Sequence, residues 1–373
     1  MKFFRSICIP ILIVLSAITV RGQIVERLWK EGFEQIHILD SNDTLRIFFE
    51  KRNFRYPLNS MEYANLALGG LLTKPVIWIP LFHNTPMGAY RQGDYHVRPL
   101  QQEEEIYFQL QNDPAKSYRF HFRIMPDFRA KFGNYGNPFQ SKANLILDSR
   151  IYLLSGLSVH AGILFPLNNS LDNQEMNIRP GPAMIQWFKK RGNHFLSTIA
   201  GLYLNDRYGL DLQYRYAPLN KYLSFGIESS YTGFYFWPRT GLFRKELNEF
   251  TLVGDIEWRL PPYPKISARL SGGQYLFGDR GIRFDVIRQW GTVDVSFYGS
   301  WTQGGQNAGF QFIIPIFPGK IIRTKNFELR TAEEFPWEYN FSNEDPSARN
   351  YRLSIPRLSD VIRQYNHHLW IHD

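Results

Sequence analysis

Residues 264–317 alternate apolar and polar side chains in four segments. In the first, Ile266, Ala268 and Leu270 oppose Lys265, Ser267 and Arg269; in the second, Ile282, Phe284 and Val286 oppose Arg283 and Asp285. In the third, Val293, Val295 and Phe297 oppose Thr292, Asp294 and Ser296, and in the fourth Phe310, Phe312, Ile314 and Ile316 share a face. A period of two predicts β-strands with one apolar and one polar face. Gly278-Asp279-Arg280-Gly281 predicts a tight turn, with Gly278 and Gly281 supplying permissive backbone and Asp279 a turn carboxylate.

The same pattern reaches back to residue 117. Strands are expected at 118–130, 143–154, 156–167, 182–190, 194–205, 207–216, 222–237 and 249–260, which with the four above makes about twelve. Each is near the ~9–11 residues that a tilted membrane strand needs. Connections at 205–206, 220–221 and 289–292 are short, and those at 168–177 and 238–248 are longer. Short turns at one end and long loops at the other are the habit of outer-membrane barrels.

The flanks read differently. Residues 23–92 predict a small α-β-β-α-β-β domain. Residues 93–116, with Glu103-Glu104-Glu105, read as a linker whose charges form a solvated face. Residues 321–373 read as a C-terminal tail with short edge strands at 326–330 and 337–341 and one amphipathic helix at 358–365. His367, His368 and His372 read as a solvated end rather than a metal site.

The direction of the apolar face sets the fold class. Asp255, Glu257 and Arg259 share one strand face, and Leu252, Ile256 and Trp258 share the other. Burying such a ladder in a dry core costs several kcal/mol per ion. Facing a wet lumen it is natural, and Arg269, Arg283 and Asp285 can meet it across strands. The expected fold is mainly β: an antiparallel transmembrane β-barrel of about twelve strands, residues 117–320, preceded by a small α+β periplasmic domain. A soluble β-sandwich would alternate too, with its apolar face inside.

Composition adds a compartment. Lys2, Arg5 and the apolar run 9–20 predict a signal peptide over 1–22. Cys8, the single cysteine, lies within it, so no disulfide or thiolate ligand is expected in the mature chain. The formal charge is +9, which in an exported protein points to anionic lipid headgroups or acidic glycans rather than nucleic acid. Aromatics make up 16% of residues, and Tyr231, Tyr235, Trp237, Trp258, Trp290 and Trp301 are candidates for an interfacial girdle.

Certain residues carry a family likeness. Gly273-x-Tyr275-Leu276-x-Gly278-Asp279-x-Gly281, the strand running on to Arg288, and Gly309-Phe310 to Ile316 resemble the barrel module of the YjbH family of exopolysaccharide-associated outer-membrane proteins. Leu28-x-x-x-Gly32-Phe33-Glu34, Phe49-Glu50-x-Arg52-x-Phe54-Arg55 and the run 74–81 resemble that family's small domain. The longer members look like two modules in tandem, and this chain has room for one. The resemblance implies an outer-membrane barrel linked to export or surface assembly of an extracellular or capsular polysaccharide, with export proteins as partners.

Catalytic constellations are weak. Ser158 and His160 share a strand face without an identifiable orienting acid. Asp255 with Glu257, or Asp279 with Asp285, reads as lumen lining or turn rather than a glycosidase pair. No cofactor or metal is expected. The alternatives left open are an outer-membrane enzyme acting on lipid or glycan, and a soluble glycan-binding β protein.

Overall fold

The structure, a computed structural model, describes residues 20–370 except 42, 133–135, 137, 205, 317–319, 342–346 and 348–353. The expected signal segment therefore lies outside the described residues as far as 19; its expected cleavage point falls within a first helix, α1 (20–30). No described helix is long and apolar enough to cross a membrane.

The first part of the chain carries β1 (Glu34–Asp40), β2 (Leu45–Glu50), α2 (Pro57–Leu68), β3 (Val76–Phe82), β4 (Thr85–Pro86), β5 (Ala89–Arg91), β6 (Val97–Arg98) and α3 (Gln102–Gln111). β2 and β3 pair in parallel, so the chain needs a crossover between them, and α2 provides it. Pro57 opens α2 where no intrahelical N–H is required. Leu58, Met61, Ala64 and Leu68 recur at helical spacing, and all are buried with Phe49 and Trp78.

The expected linker 93–116 belongs to this unit. Phe108 of α3 is buried against Phe48, Ile79 and Leu81. Nor is the acidic run wholly solvated. Glu104 is fully buried, with ion pairs to Arg46 and Arg98 of 3.1 and 2.6 Å, and its carboxylate accepts from the Gln101 N–H in a capping box. The run follows a cap that draws one of its three carboxylates inward.

After α4 (Pro114–Ser117) come β7 (Phe120–Phe132), β8 (Phe139–Leu154), β9 (Leu157–Asn169), β10 (Arg179–Arg191), β11 (His194–Tyr203), β12 (Arg207–Tyr216) and β13 (Leu223–Phe236). They are followed by β14 (Phe243–Arg244), β15 (Glu249–Arg259), β16 (Ile266–Gln274), β17 (Arg280–Trp290), β18 (Val293–Thr302) and β19 (Gly305–Ile314). The long strands pair with their sequence neighbours, all antiparallel. The protein is mainly β, 55% strand and 16% helix, with one large antiparallel-rich sheet.

The tail joins that sheet instead of trailing from it. β20 (Ile322–Arg323), β21 (Phe327–Thr331) and β22 (Phe335–Asn340) extend it to sixteen strands. β21 pairs with β7 in parallel, and β22 pairs with β19 antiparallel. One run of chain thus occupies both outer edges of the twelve-strand meander. The last helix, α5 (Leu358–Gln364), is buried at every position.

The glycines of the 273–281 stretch serve turn and register. Gly278 has φ +70° in the turn between β16 and β17. Gly273 faces Gly281 across the two strands with φ +151°, and a Cβ there would lie 2.1 Å from the Leu252 carbonyl oxygen. Gly273→Ala is therefore expected to destabilise the sheet by about 1–3 kcal/mol, read as a lower melting temperature.

Candidate functional site

The large sheet has one apolar face and one ionic face, and the ionic face is the buried one. In β15, Thr251, Val253, Glu257 and Arg259 are buried while Phe250, Leu252, Ile256 and Trp258 are 46–47% exposed. In β17, Arg283, Asp285, Ile287 and Gln289 are buried while Ile282, Phe284, Val286 and Trp290 are exposed. β12 repeats this, with Asp211, Gln213 and Arg215 buried and Leu210 and Leu212 exposed.

The expected charge ladder is paired rather than wetted. Arg215 bonds Asp255, and Arg363 clamps Glu257 at both oxygens, 2.6 and 2.7 Å. Asp285, fully buried, takes Arg283 at 2.9 Å and Arg269 at 3.3 Å. Arg283 also lies 3.6 Å from Glu338 and stacks over Tyr298. Arg259 donates to Gln289 at 2.9 Å, to the Arg363 carbonyl at 3.2 Å and to the Pro264 carbonyl. The ladder residues meet across strands as expected, and helix α5, which the sequence did not place there, sits against them and supplies the cation for Glu257.

That helix is held from many strands at once. Arg357 pairs with Glu228 of β13 at 3.0 Å, and the Leu358 N–H donates to Gln213 of β12. Arg269 of β16 donates to Ser359, and Gln364 donates to Asp294 of β18 at 3.2 Å. The sheet therefore curves around α5. Beyond it, Tyr90 donates to the Tyr365 carbonyl, and Trp370 packs on Tyr90, Tyr95 and Tyr56 of the small domain. The expected solvated histidine end is corrected: His367 is buried and its ring meets His96 and His368. His372 lies outside the described residues.

The small domain caps the short-turn end of the sheet. Arg55 bonds Asp294 at 2.6 Å and the Thr292 carbonyl at 3.0 Å in the β17–β18 turn. The His83 carbonyl accepts from Gly156 and the Asn84 carbonyl from Ser155, both in the β8–β9 turn. Glu50 gathers the N–H groups of His83 and Asn84 and the hydroxyls of Tyr118 and Tyr152. Burial pushes its carboxyl above the ordinary value.

At the same junction Ser158 Oγ lies 3.2 Å from both His160 Nε2 and His83 Nδ1. Ser158 is fully buried and His160 and His83 are 2% exposed. Burial, followed by Arg150, Arg123 and Arg52, holds His83 well below its usual value. Below about pH 6.5 the unfolded chain binds a proton that folded His83 refuses, so stability falls as pH drops. The expected slope is at most about 1.4 kcal/mol per pH unit from this group, and His83→Gln should flatten the melting temperature between pH 6.5 and 5.

Asp279 accepts from the Gly304 N–H at 2.9 Å, so its carboxylate ties one turn to the next. Tyr231, Trp258, Trp290 and Trp301 stand exposed on the apolar face, but Tyr235 is buried and donates to the Tyr203 carbonyl, which corrects its place in the girdle. Sequence reasoning missed Arg363, Arg357, Arg55 and Glu228. The available signal was helix 358–364, which mixes Ser, Asp, Arg and Gln with Leu, Val and Ile and so suits an ionic pocket.

A cavity of about 550 Å³ lies on the ionic face and runs from Glu334, which Arg55 of the small domain bonds, to Phe277 in the β16–β17 turn. Its walls include Arg129, Arg150, Arg207 and Phe277, and residues 354–357 and Asp360 form part of its lining. No group of three or more potential metal ligands occurs among the described residues.

No family model, curated protein or solved structure matches this chain.

Proposed function

We propose that the chain is a non-enzymatic outer-membrane β-barrel that assists export or surface assembly of an extracellular or capsular polysaccharide, with its small domain in the periplasm. The observation that carries the membrane reading is the reversed polarity of the large sheet. Its apolar side chains are outward and its ions are paired inward, the arrangement that hydrocarbon stabilises and water does not. Closure into a barrel is supported by the run 327–340, which pairs with β7 through its first half and β19 through its second. The long strands, from 9 residues in β16 to 16 in β8, are sufficient for a tilted span. The polysaccharide role rests on the resemblance of residues 273–281 and of the small domain.

In this reading α5 is a plug and the capped end faces the periplasm. The protein then acts by docking and guiding rather than as an open pore. Fractionation with a heat-modifiability gel tests the barrel: the unboiled protein is expected in the outer-membrane fraction and to migrate faster than the boiled one. Recovery in the soluble periplasm would remove this reading. The polysaccharide role is tested by deleting the gene and measuring surface polysaccharide, with loss expected. Restoration by Ser158→Ala is expected, and its failure despite a folded barrel would favour an enzyme.

A further inference from the structure

The large sheet has a gap where its two ends meet. β21 pairs with β7 as far as Thr331 and Ile124, and β22 pairs with β19 from Phe335 onward. Among the described residues no ladder joins 125–132 of β7 to 335–340 of β22. Consecutive residues of both segments, 125–131 and 332–338, line the cavity of about 550 Å³. In an unbroken sheet only alternate residues reach one face, and strands ~4.8 Å apart leave no space between them. The cavity therefore passes through the wall between β7 and β22. The Ala332 N–H bond to the Ile124 carbonyl closes one end of the gap, and the rings of Phe132 and Tyr339, 6.0 Å apart, close the other.

Two prolines account for the opening. In a parallel ladder the bond after Ala332 to Ile124 is donated by the residue two further along β7, which is Pro126 and has no N–H. On β22 the Phe341 N–H donates to Ala308 of β19, so the even-numbered residues turn their backbone groups toward the gap. Pro336 is one of these and has no N–H to offer. Prolines on both facing edges also oppose the addition of a further strand. The lips of the gap are apolar. Phe128, 36% exposed, and Trp337, packed on Phe310 and Phe312, carry the outward apolar face up to it. On the inner side Met125, Ile313 and Pro336 line the cavity where the sheet elsewhere presents ions.

We propose that this gap is a lateral entry through which an acyl chain of a lipid from the surrounding bilayer lies in the cavity. The cavity is ligand-sized and continuous with the face assigned to hydrocarbon, and its edges disfavour a peptide strand as occupant. This rests on the barrel reading above and goes beyond it, since an unbroken wall would keep lipid wholly outside.

The test is fluorescence quenching of the full chain reconstituted in dioleoylphosphatidylcholine vesicles, with plain or dibrominated acyl chains. Cys8 is the single cysteine, so in a Cys8→Ser background each variant carries one bimane label. Met125→Cys and Ile313→Cys report the cavity side of the gap. Ser271→Cys reports the inner face of β16, away from it, and Phe297→Cys, at a 64% exposed position, reports the outer face. Brominated chains are expected to quench the labels at 125, 313 and 297 and to leave that at 271 bright. Replacing Pro126 and Pro336 together by valine restores two N–H donors at the gap. The label at 125 is then expected to lose its quenching while the protein keeps its heat-modifiable migration. Labels at 125 and 313 as bright as that at 271, or quenching at 125 that survives the proline replacements unchanged, overturns the proposal. A dimer in detergent with a bright label at 125 overturns it as well, in favour of a second copy at the gap. With the label at 297 quenched, these failures sink this inference alone, whereas a bright label at 297 sinks the barrel reading.

Discussion

Phe284→Arg is expected to abolish the heat-modifiable form of the protein. Phe284 lies near the middle of β17, 42% exposed, with Leu270 directly across at 49%. If that face were in water, an arginine there would change stability by no more than about 0.5 kcal/mol. Against hydrocarbon near the bilayer midplane the same substitution costs about 2–4 kcal/mol. Leu66→Arg, at an 82% exposed position of the small domain, is the matched control and is expected to be silent. The measurement is outer-membrane recovery and gel migration of each variant. Unimpaired recovery of Phe284→Arg would place the apolar face in water and remove the membrane assignment.

Arg363→Ala is expected to loosen the C-terminal helix and destabilise the protein by about 3–5 kcal/mol, because it leaves buried carboxylates without their cation. Glu257 loses a two-bond clamp and Asp360 a 2.9 Å partner, and Asp294 loses a cation at 3.8 Å. Glu257 and Asp294 are 6% and 3% exposed, so water compensates little. The readouts are the temperature at which heat modifiability is lost and the rate of protease cleavage within residues 354–370. Adding Glu257→Gln to Arg363→Met removes both charges and should recover much of the loss, since a buried ion pair can be replaced by neutral groups at little net cost. Equal melting temperatures for Arg363→Ala and wild type would mean that α5 is not held by its ions.

Local patterning made much of this legible. Strand alternation is a property of each residue and its second neighbour, so Leu252, Ile256 and Trp258 separate from Asp255, Glu257 and Arg259 before any partner is known. The turn at Gly278-Asp279 is legible for the same reason, since its chemistry lies within four residues. Glu104 was not, because Arg46, which pairs with it at 3.1 Å, comes from another part of the chain.

The chain by itself determined the strands, their two-faced character and the small domain ahead of them, because period-two and helical spacings are short-range consequences of backbone geometry. It did not determine what fills the ionic side. β21, β22 and α5 are too short to declare partners, and Arg363 acquires its role only when Glu257, Asp294 and Asp360 converge on it from distant positions. Tertiary structure decided that the tail would extend the sheet at both edges and occupy its buried face, since ions withdrawn from water must find counter-charges wherever the chain can bring them.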